Sequence, residues 1–470
     1  MNLKNYHFHF VGIGGIGMCG LAELLHNMGA RVSGSDLSEN AQVQRMRGMG
    51  IEVFKGHHAS QLQGAQVVVF SSAIPKSNPE ISEAKARGIP LIPRAEALAE
   101  IMRLKRGVAV AGTHGKTTTT SLAASIFLEA GLSPTIFIGG RFGQIDSTAW
   151  LGQGEWLLAE ADESDGSFQK LTPEISIITN IDSDHLDHFK SFENLENAFY
   201  EFALKTPFYG SCIVCGDDPR IRELFESFPK MIYFYGFHES NDFFLRGSDG
   251  CYEVFANNSG ANSPDVNCPD VKSPEGGGKV KSLGTLQLQV PGRHNALNAL
   301  GATVAGLKAG ISFDECKRGI SKFAGVDRRF QFKGEGSGVL VYDDYGHHPT
   351  EVKATLQAFR EKYPKNRIVA FFQPHRYSRT ESCWHEFTQS FGLCDQVYIT
   401  DIYPAGESPL TGVTAERLTL EIKHNNKIFL QRNPDNAKTI VGALKAGDVF
   451  VTLGAGDGWK LGLEVLDLLK

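Results

Sequence analysis

The sequence predicts an α/β protein of three domains, each a mostly parallel sheet with helices packed against it. Three stretches carry that expectation: "HFVGIGGIGMCGLAELL", "GVAVAGTHGKTTTTSLAASIFLEAG" and "VLVYDDYGHHPTEVKATLQAFREKY". Each runs from an apolar strand through a glycine-rich or polar turn into a helical pattern, the rhythm of parallel strands joined by crossover helices. A chain of 470 residues has room for two to four domains at about 100–200 residues each. The expected divisions are 1–105, 106–325 and 326–470.

In the first domain, strand and helix signals alternate through "HFHFVG", "GLAELLHNMG", "RVSGSD", "QVVVFSS" and "EISEAKARG". The opening strand runs into Gly12-x-Gly14-x-x-Gly17, with Gly15 between, and a second strand ends in Asp36. Such a loop places backbone N–H groups and a helix N-terminus against a diphosphate, and an acid ending the next strand suits a ribose hydroxyl. The motif specifies a diphosphate and not a nicotinamide; a UDP-sugar carries the same groups. Ser71 and Ser72 in "SSAIP" either line that crevice or form only a turn.

The second domain opens with a strand leading into Gly112-Thr113-His114-Gly115-Lys116-Thr117-Thr118 and a helix. Here the glycines let the backbone wrap a polyphosphate, Lys116 neutralises β/γ oxygens, and the Thr117 hydroxyl can ligand Mg²⁺. The common Walker pattern wants glycine where Val110 stands. Two acidic strand ends follow, "WLLAEADESDGSF" with Glu160, Asp162, Glu163 and Asp165, and "ISIITNIDSDHLDHF" with Asn180, Asp182, Asp184 and His185. In an open parallel sheet both face the phosphate loop, where carboxylates share Mg²⁺ with phosphates; some of them are helix caps instead. The segment from about 237 to 286 turns polar, most clearly in "ANNSGANSPDVNCPDVKSPEGGGKV". It reads as a loop or disordered insertion between short strands, outside the core.

Composition excludes other classes. A net charge of -6 argues against a nucleic-acid binder. No run approaches the roughly 20 apolar residues of a membrane span, and no signal peptide is evident, so a cytoplasmic protein without membrane insertion is expected. A monomer or weak dimer is also expected, though not from these features. Cys212 and Cys215 form a lone C-x-x-C, more consistent with strand packing than with zinc.

Six separated motifs in order, "GTHGKTTT", "EADESDGSF", "NIDSDHLDH", "GRHNALNA", "DDYGHHPTE" and "QPHRYSRT", resemble the Mur ligase family, and within it the branch adding the first amino acid of the peptidoglycan stem peptide. The resemblance covers nearly the whole chain outside the polar insertion. It implies an N-terminal Rossmann-like UDP-binding domain, a central P-loop-type ATPase and a C-terminal Rossmann-like domain receiving the amino acid. The implied reaction joins L-alanine to the carboxylate of UDP-N-acetylmuramate through an acyl phosphate, using ATP and two Mg²⁺ ions, with Mn²⁺ as a substitute. By motif, Thr117 and Glu160 would bind one Mg²⁺ and His185 a second; Asn295 would face the adenine. Arg328 or Arg329 would reach the nucleotide phosphates on domain closure, or else be a solvated hinge charge. Asp344, Tyr345, His347, His375, Arg376 and Arg379 would gather at the ends of two adjacent strands, with an arginine fork on the alanine carboxylate and His347 beside the reacting amine or the acyl phosphate. The sibling ligases' carbamylated lysine has no counterpart at Phe199 and Tyr200. The runner-up is a murein-tripeptide recycling ligase acting on the same UDP-sugar; a nicotinamide oxidoreductase would leave the second loop idle.

Overall fold

The structure, a computed structural model, describes residues 3–71, 73–145, 147–257 and 280–470. Its first sheet is all parallel in the order β3-β2-β1-β4-β5. The strands are β1 His7–Val11, β2 Arg31–Asp36, β3 Glu52–Lys55, β4 Val67–Phe70 and β5 Leu91–Pro93. Every residue of β1 is buried, as a central parallel strand covered on both faces requires. The chain lays β2 on one side of β1 and β4 on the other, so the crevice at the carboxyl end of β1 is a topological switch point. The glycine loop sits there.

The second sheet has ten strands in the order β15-β14-β13-β12-β11-β10-β6-β9-β7-β8. They are β6 Arg106–Ala111, β7 Thr135–Phe142, β8 Ser147–Trp150, β9 Trp156–Glu160, β10 Ile175–Ile178, β11 Ser211–Cys215, β12 Ile232–Gly236, β13 Phe243–Ser248, β14 Cys251–Asn257 and β15 Val280–Gln287. Strand β6 lies between β10 and β9, parallel to both, which puts a second switch point at the phosphate loop. The short strands expected around the polar insertion are β13, β14 and β15, but the reading of 237–286 as outside the core is corrected by their side chains. Phe243, Phe244, Tyr252, Val254 and Leu286 are buried. Averaged polarity hid the alternation in β14, whose burial follows a period of two. Residues 258–279, most of the polar stretch, lie outside the described residues. Cys212 and Cys215 are buried in β11, and burial pushes both thiols up to about 12. Three apart on a strand, they leave opposite faces, so they pack and do not form a metal clip.

The third sheet runs β16-β17-β21-β18-β19-β20, from β16 Gln331–Gly336, β17 Val339–Asp344, β18 Ile368–Phe372, β19 Gln396–Ile399, β20 Lys427–Phe429 and β21 Val449–Leu453. Apart from the antiparallel β16–β17 pair, its pairings are parallel. Its two faces carry separate apolar clusters, Leu356, Phe359 and Phe372 on one and Phe371, Ile440 and Phe450 on the other. Strands β17 and β18 are not adjacent as expected: β21 lies between them. Sequence order does not fix strand order, and the last strand of the chain returns to the sheet's middle.

By contacts the chain forms two compact units. One is Met1–Arg246, Tyr252–Gln287 and Leu297–Phe323; the other is Gly247–Cys251, Leu288–Ala296 and Ala324–Lys470. Within the first, one apolar cluster runs continuously from Phe10 and Leu21 of the first sheet's layers to Phe199 and Phe202 beside the second. No helix among the described residues is long and apolar enough to cross a membrane.

Candidate active site

In the first unit, the end of β2 holds the opening glycine loop. The N–H groups of Gly12 and Ile13 both donate to the Ser35 carbonyl, at 2.8 and 3.0 Å. The Gly14 N–H donates to Asp36 Oδ2 at 2.8 Å. The other Asp36 oxygen accepts from the Ser38 N–H and hydroxyl. Asp36, read as a ribose ligand, thus braces the loop itself. Gly15 is the residue before the helix Ile16–Asn27, whose first N–H groups point out of the loop. Gly17 makes a close approach absent from the motif reading: a Cβ there would lie 2.1 Å from Arg94 Nη1, so the Arg94 side chain would have to shift. Arg94 also pairs with Asp162 at 3.3 Å, linking the first loop to the acidic end of β9. Ser71 begins a turn whose Ile74 reaches Gly12, while Ser72 lies outside the described residues.

The phosphate loop is clamped by the end of β10. Asn180 accepts from the His114 N–H at 2.9 Å and donates to the His114 carbonyl at 2.9 Å. Thr179 donates to the same carbonyl at 2.6 Å. The Thr113 hydroxyl accepts from the Asp182 N–H at 2.9 Å, and His114 Nε2 lies 3.0 Å from Asp182 Oδ2. Gly115 has φ +83, and a Cβ there would lie 2.6 Å from Asn298 Oδ1, so glycine is needed for conformation and for space. Its successor Lys116 begins the helix Lys116–Glu129, in which Thr117 and Thr118 are buried.

Lys116 folds back on its own loop. Its Nζ donates to the Gly112 carbonyl at 2.6 Å and the Thr113 carbonyl at 3.1 Å, and it pairs with Glu163 at 2.7 Å. Burial alone would lower the ammonium pKa; Glu163 and Asp162 outweigh it and raise it. Burial pushes the Glu163 carboxyl upward against the pull of Lys116. The Thr117 hydroxyl donates to Glu160 Oε1 at 2.8 Å, and Glu160 Oε2 accepts from the Gly139 N–H at 2.6 Å. His185 takes a left-handed backbone, φ +58, that brings Nε2 to 3.6 Å from Asp184 and 3.8 Å from Glu163. Lys116, Thr117, Glu160 and His185 therefore converge, joined by Glu163, one of the acids the motif reading left between metal ligand and helix cap.

In the second unit, Asn295 donates to the Pro291 carbonyl at 2.6 Å. Arg328, expected either to reach the nucleotide phosphates on closure or to be a solvated hinge charge, is tied within its own unit. Its Nε pairs with Asp343 at 3.0 Å, Nη2 donates to the Gly454 carbonyl at 2.6 Å, and its guanidinium lies 4.9 Å from the Tyr345 ring centre. Reaching a phosphate would break these bonds. The Gly454 carbonyl belongs to "GAGDG", directly after β21, a loop the motif reading passed over. His347 Nδ1 donates to the Tyr345 carbonyl at 3.0 Å, and its ring lies 5.8 Å from that of His375. His375 stacks on Tyr403 at 5.4 Å, and burial, with Arg379 and Arg376 adding, pushes its pKa down to about 4. Arg376 is tied by Nε to Glu407 at 2.6 Å; Arg379 is buried with Nη1 3.4 Å from the His375 carbonyl. The second unit thus gathers Tyr345, His347, His375 and Arg379 without β17 and β18 touching.

Two strand–glycine loop–helix turns at switch points, with hard oxygens beside one of them, are the frame of a nucleotide-binding α/β protein. The chain belongs to the Mur ligase family: residues 7–106 match the family's catalytic domain, 110–306 the Mur ligase middle domain and 328–456 the Mur ligase glutamate ligase domain. It is 64% identical, over 100% of both chains, to a UDP-N-acetylmuramate–L-alanine ligase of Bdellovibrio bacteriovorus. Among solved structures it resembles a UDP-N-acetylmuramate-alanine ligase of Thermotoga maritima, 27% identical with a TM-score of 0.78 over 98% of each chain. A murein peptide ligase of Psychrobacter arcticus, 23% identical with a TM-score of 0.71 over 99% of this chain and 98% of its own, shares the fold.

Proposed function

We propose that the protein joins L-alanine to the carboxylate of UDP-N-acetylmuramate at the expense of ATP. The observation that carries this reading is full-length identity of 64% to an enzyme of that name; the clamped phosphate loop supports it. The recycling alternative is favoured by no observation, since its structural neighbour shares only the fold.

In this reading the N–H groups of the first turn of the helix Ile16–Asn27, presented by the Gly12–Gly15 loop, hold the UDP diphosphate. ATP lies on residues 112–118, where Lys116 exchanges Glu163 for the β/γ-phosphates. The muramate carboxylate attacks the γ-phosphorus, ADP leaves, and the alanine amine attacks the acyl phosphate carbon to release phosphate. Lys116 opposes the charge that builds on the transferring oxygens. In the second unit Arg379 and Arg376 are the candidates for the alanine carboxylate, and Tyr345 and His375 for the pocket wall. His347 offers Nε2 to the amine proton, because its Nδ1 is committed to a carbonyl. Asn295 is the candidate for the adenine edge.

The Thr117 hydroxyl and Glu160 carboxylate are hard oxygens already 2.8 Å apart, a donor pair that fits Mg²⁺. They would hold one ion and His185 a second; when bound, such ions neutralise phosphate charge. The cytoplasm, where a nucleotide precursor and ATP are both available, is the compartment this reading assigns. Mass spectrometry tests the reaction: a product one alanyl residue heavier than UDP-N-acetylmuramate, formed only with ATP, supports it, and its absence under those conditions refutes it.

A further inference from the structure

We infer that Glu80 is a positioning residue for the first glycine loop, acting through Ser35. The inference rests on the reading of that loop as the UDP-sugar site. Glu80 is the second residue of the helix Pro79–Ala86, and its side chain is wholly buried. A buried carboxylate is costly unless its lone pairs are met, and three donors meet them. Oε1 accepts from His9 Nε2 at 2.9 Å; Oε2 accepts from the Ser35 hydroxyl at 2.6 Å and from His57 Nδ1 at 2.8 Å. Burial pushes the carboxyl up, but these donors outweigh it and hold it below its ordinary value.

The direction of the network follows from the carboxylate, which only accepts. His9 must carry its hydrogen on Nε2, so a singly protonated ring accepts at Nδ1 from the Ser33 hydroxyl, 2.8 Å away. The Ser33 oxygen in turn accepts from His7 Nε2 at 2.8 Å. One acceptor therefore orders a chain of side chains across β1 and β2.

The same residue, Ser35, has two jobs. Its hydroxyl is fixed by Glu80, and its carbonyl receives the Gly12 and Ile13 N–H groups. The next residue, Asp36, holds the Gly14 N–H and, by its carbonyl, the Gly56 N–H beside His57. Glu80 thus joins β1, β2 and the turn after β3 where they present the loop. A glutamine there keeps the shape but turns one acceptor into a donor: on the Ser35 side its NH₂ meets the incoming hydroxyl and His57 hydrogens, and on the His9 side it is accepted only if the whole His9–Ser33–His7 chain reverses.

The test is steady-state kinetics with UDP binding by calorimetry on the full chain, comparing wild type with Glu80→Gln and Ser35→Ala. The account expects KM for the UDP-sugar and Kd for UDP to rise roughly ten- to a hundredfold in Glu80→Gln. The limiting kcat and KM for ATP should stay within about twofold of wild type, the split that follows from losing uniform binding. Ser35→Ala shifts the same constants in the same direction and carries the test if Glu80→Gln does not fold. Unchanged UDP-sugar KM in both variants, or a fall in kcat or melting temperature without a change in that KM, overturns the inference alone. A wild-type protein that binds no UDP overturns the reading of the loop and the inference together.

Discussion

Replacing Lys116 by methionine removes an ammonium while keeping most of the side chain's volume, and it leaves Glu163 without its partner. The pair is deeply placed: the Lys116 side chain is 14% exposed and that of Glu163 1%. Breaking a buried pair on one side costs about 3–5 kcal/mol where the remaining charge stays ionised, roughly two to three and a half decades in the folded-to-unfolded ratio. Burial pushes Glu163 up to about 7 even beside Lys116, so the loss approaches that figure only above neutral pH, where the comparison is made. Changing the acid as well, in Lys116→Met/Glu163→Gln, removes the stranded charge and should recover most of the loss. Activity should not recover, because the phosphates still lack their cation. The assay is urea unfolding and turnover on wild type, both single variants and the double variant, with UDP binding as a control that should stay near wild type in all four. Equal stability of Lys116→Met and wild type, or a double variant no more stable than Lys116→Met, would refute the ion pair. Turnover in either variant lacking the ammonium would refute the role of Lys116 in phosphoryl transfer.

Gly115→Ala meets a backbone at φ +83 and Asn298 at 2.6 Å, and should cost about 1–3 kcal/mol while weakening ATP binding by calorimetry and sparing UDP. Gly17→Ala drives Arg94 from its place and should raise KM for the UDP-sugar more than KM for ATP. Thr117→Ala should raise the Mg²⁺ concentration needed for half-maximal turnover, and chelation should stop turnover of the wild type; equal Mg²⁺ dependence of both would remove Thr117 from the metal set. Burial pushes His294 and His375 down to about 4 from 6.5. Folded, they bind protons more weakly than unfolded, so their contribution is present above about 6.5 and is lost as the pH falls through about 4. A His294→Gln/His375→Gln variant should lose less stability than wild type between those limits in urea titrations.

Much of this was legible in the sequence because it is local. A strand, a glycine loop and a helix are contiguous, so Gly12–Gly17 and Gly112–Thr118 announce their geometry within twenty residues. The acids ending β9 and β10 were also placed at the right end of the sheet. What was missed depends on long separations. Nothing local ties His9 to Glu80, Gly17 to Arg94, or Lys116 to Glu163 in preference to Glu160. The insertion of β21 between β17 and β18 is a choice of sheet order that no motif encodes. It brings the Gly454 carbonyl to Arg328, a residue that sequence position alone made look like a hinge.

The most direct measurement is phosphate release from ATP in the presence of UDP-N-acetylmuramate, with L-alanine, glycine, L-serine or the murein tripeptide supplied in turn. The account predicts release that depends on L-alanine, with one amide formed per phosphate. Release with the tripeptide and not with L-alanine, or release uncoupled from amide formation with every acceptor, would contradict it.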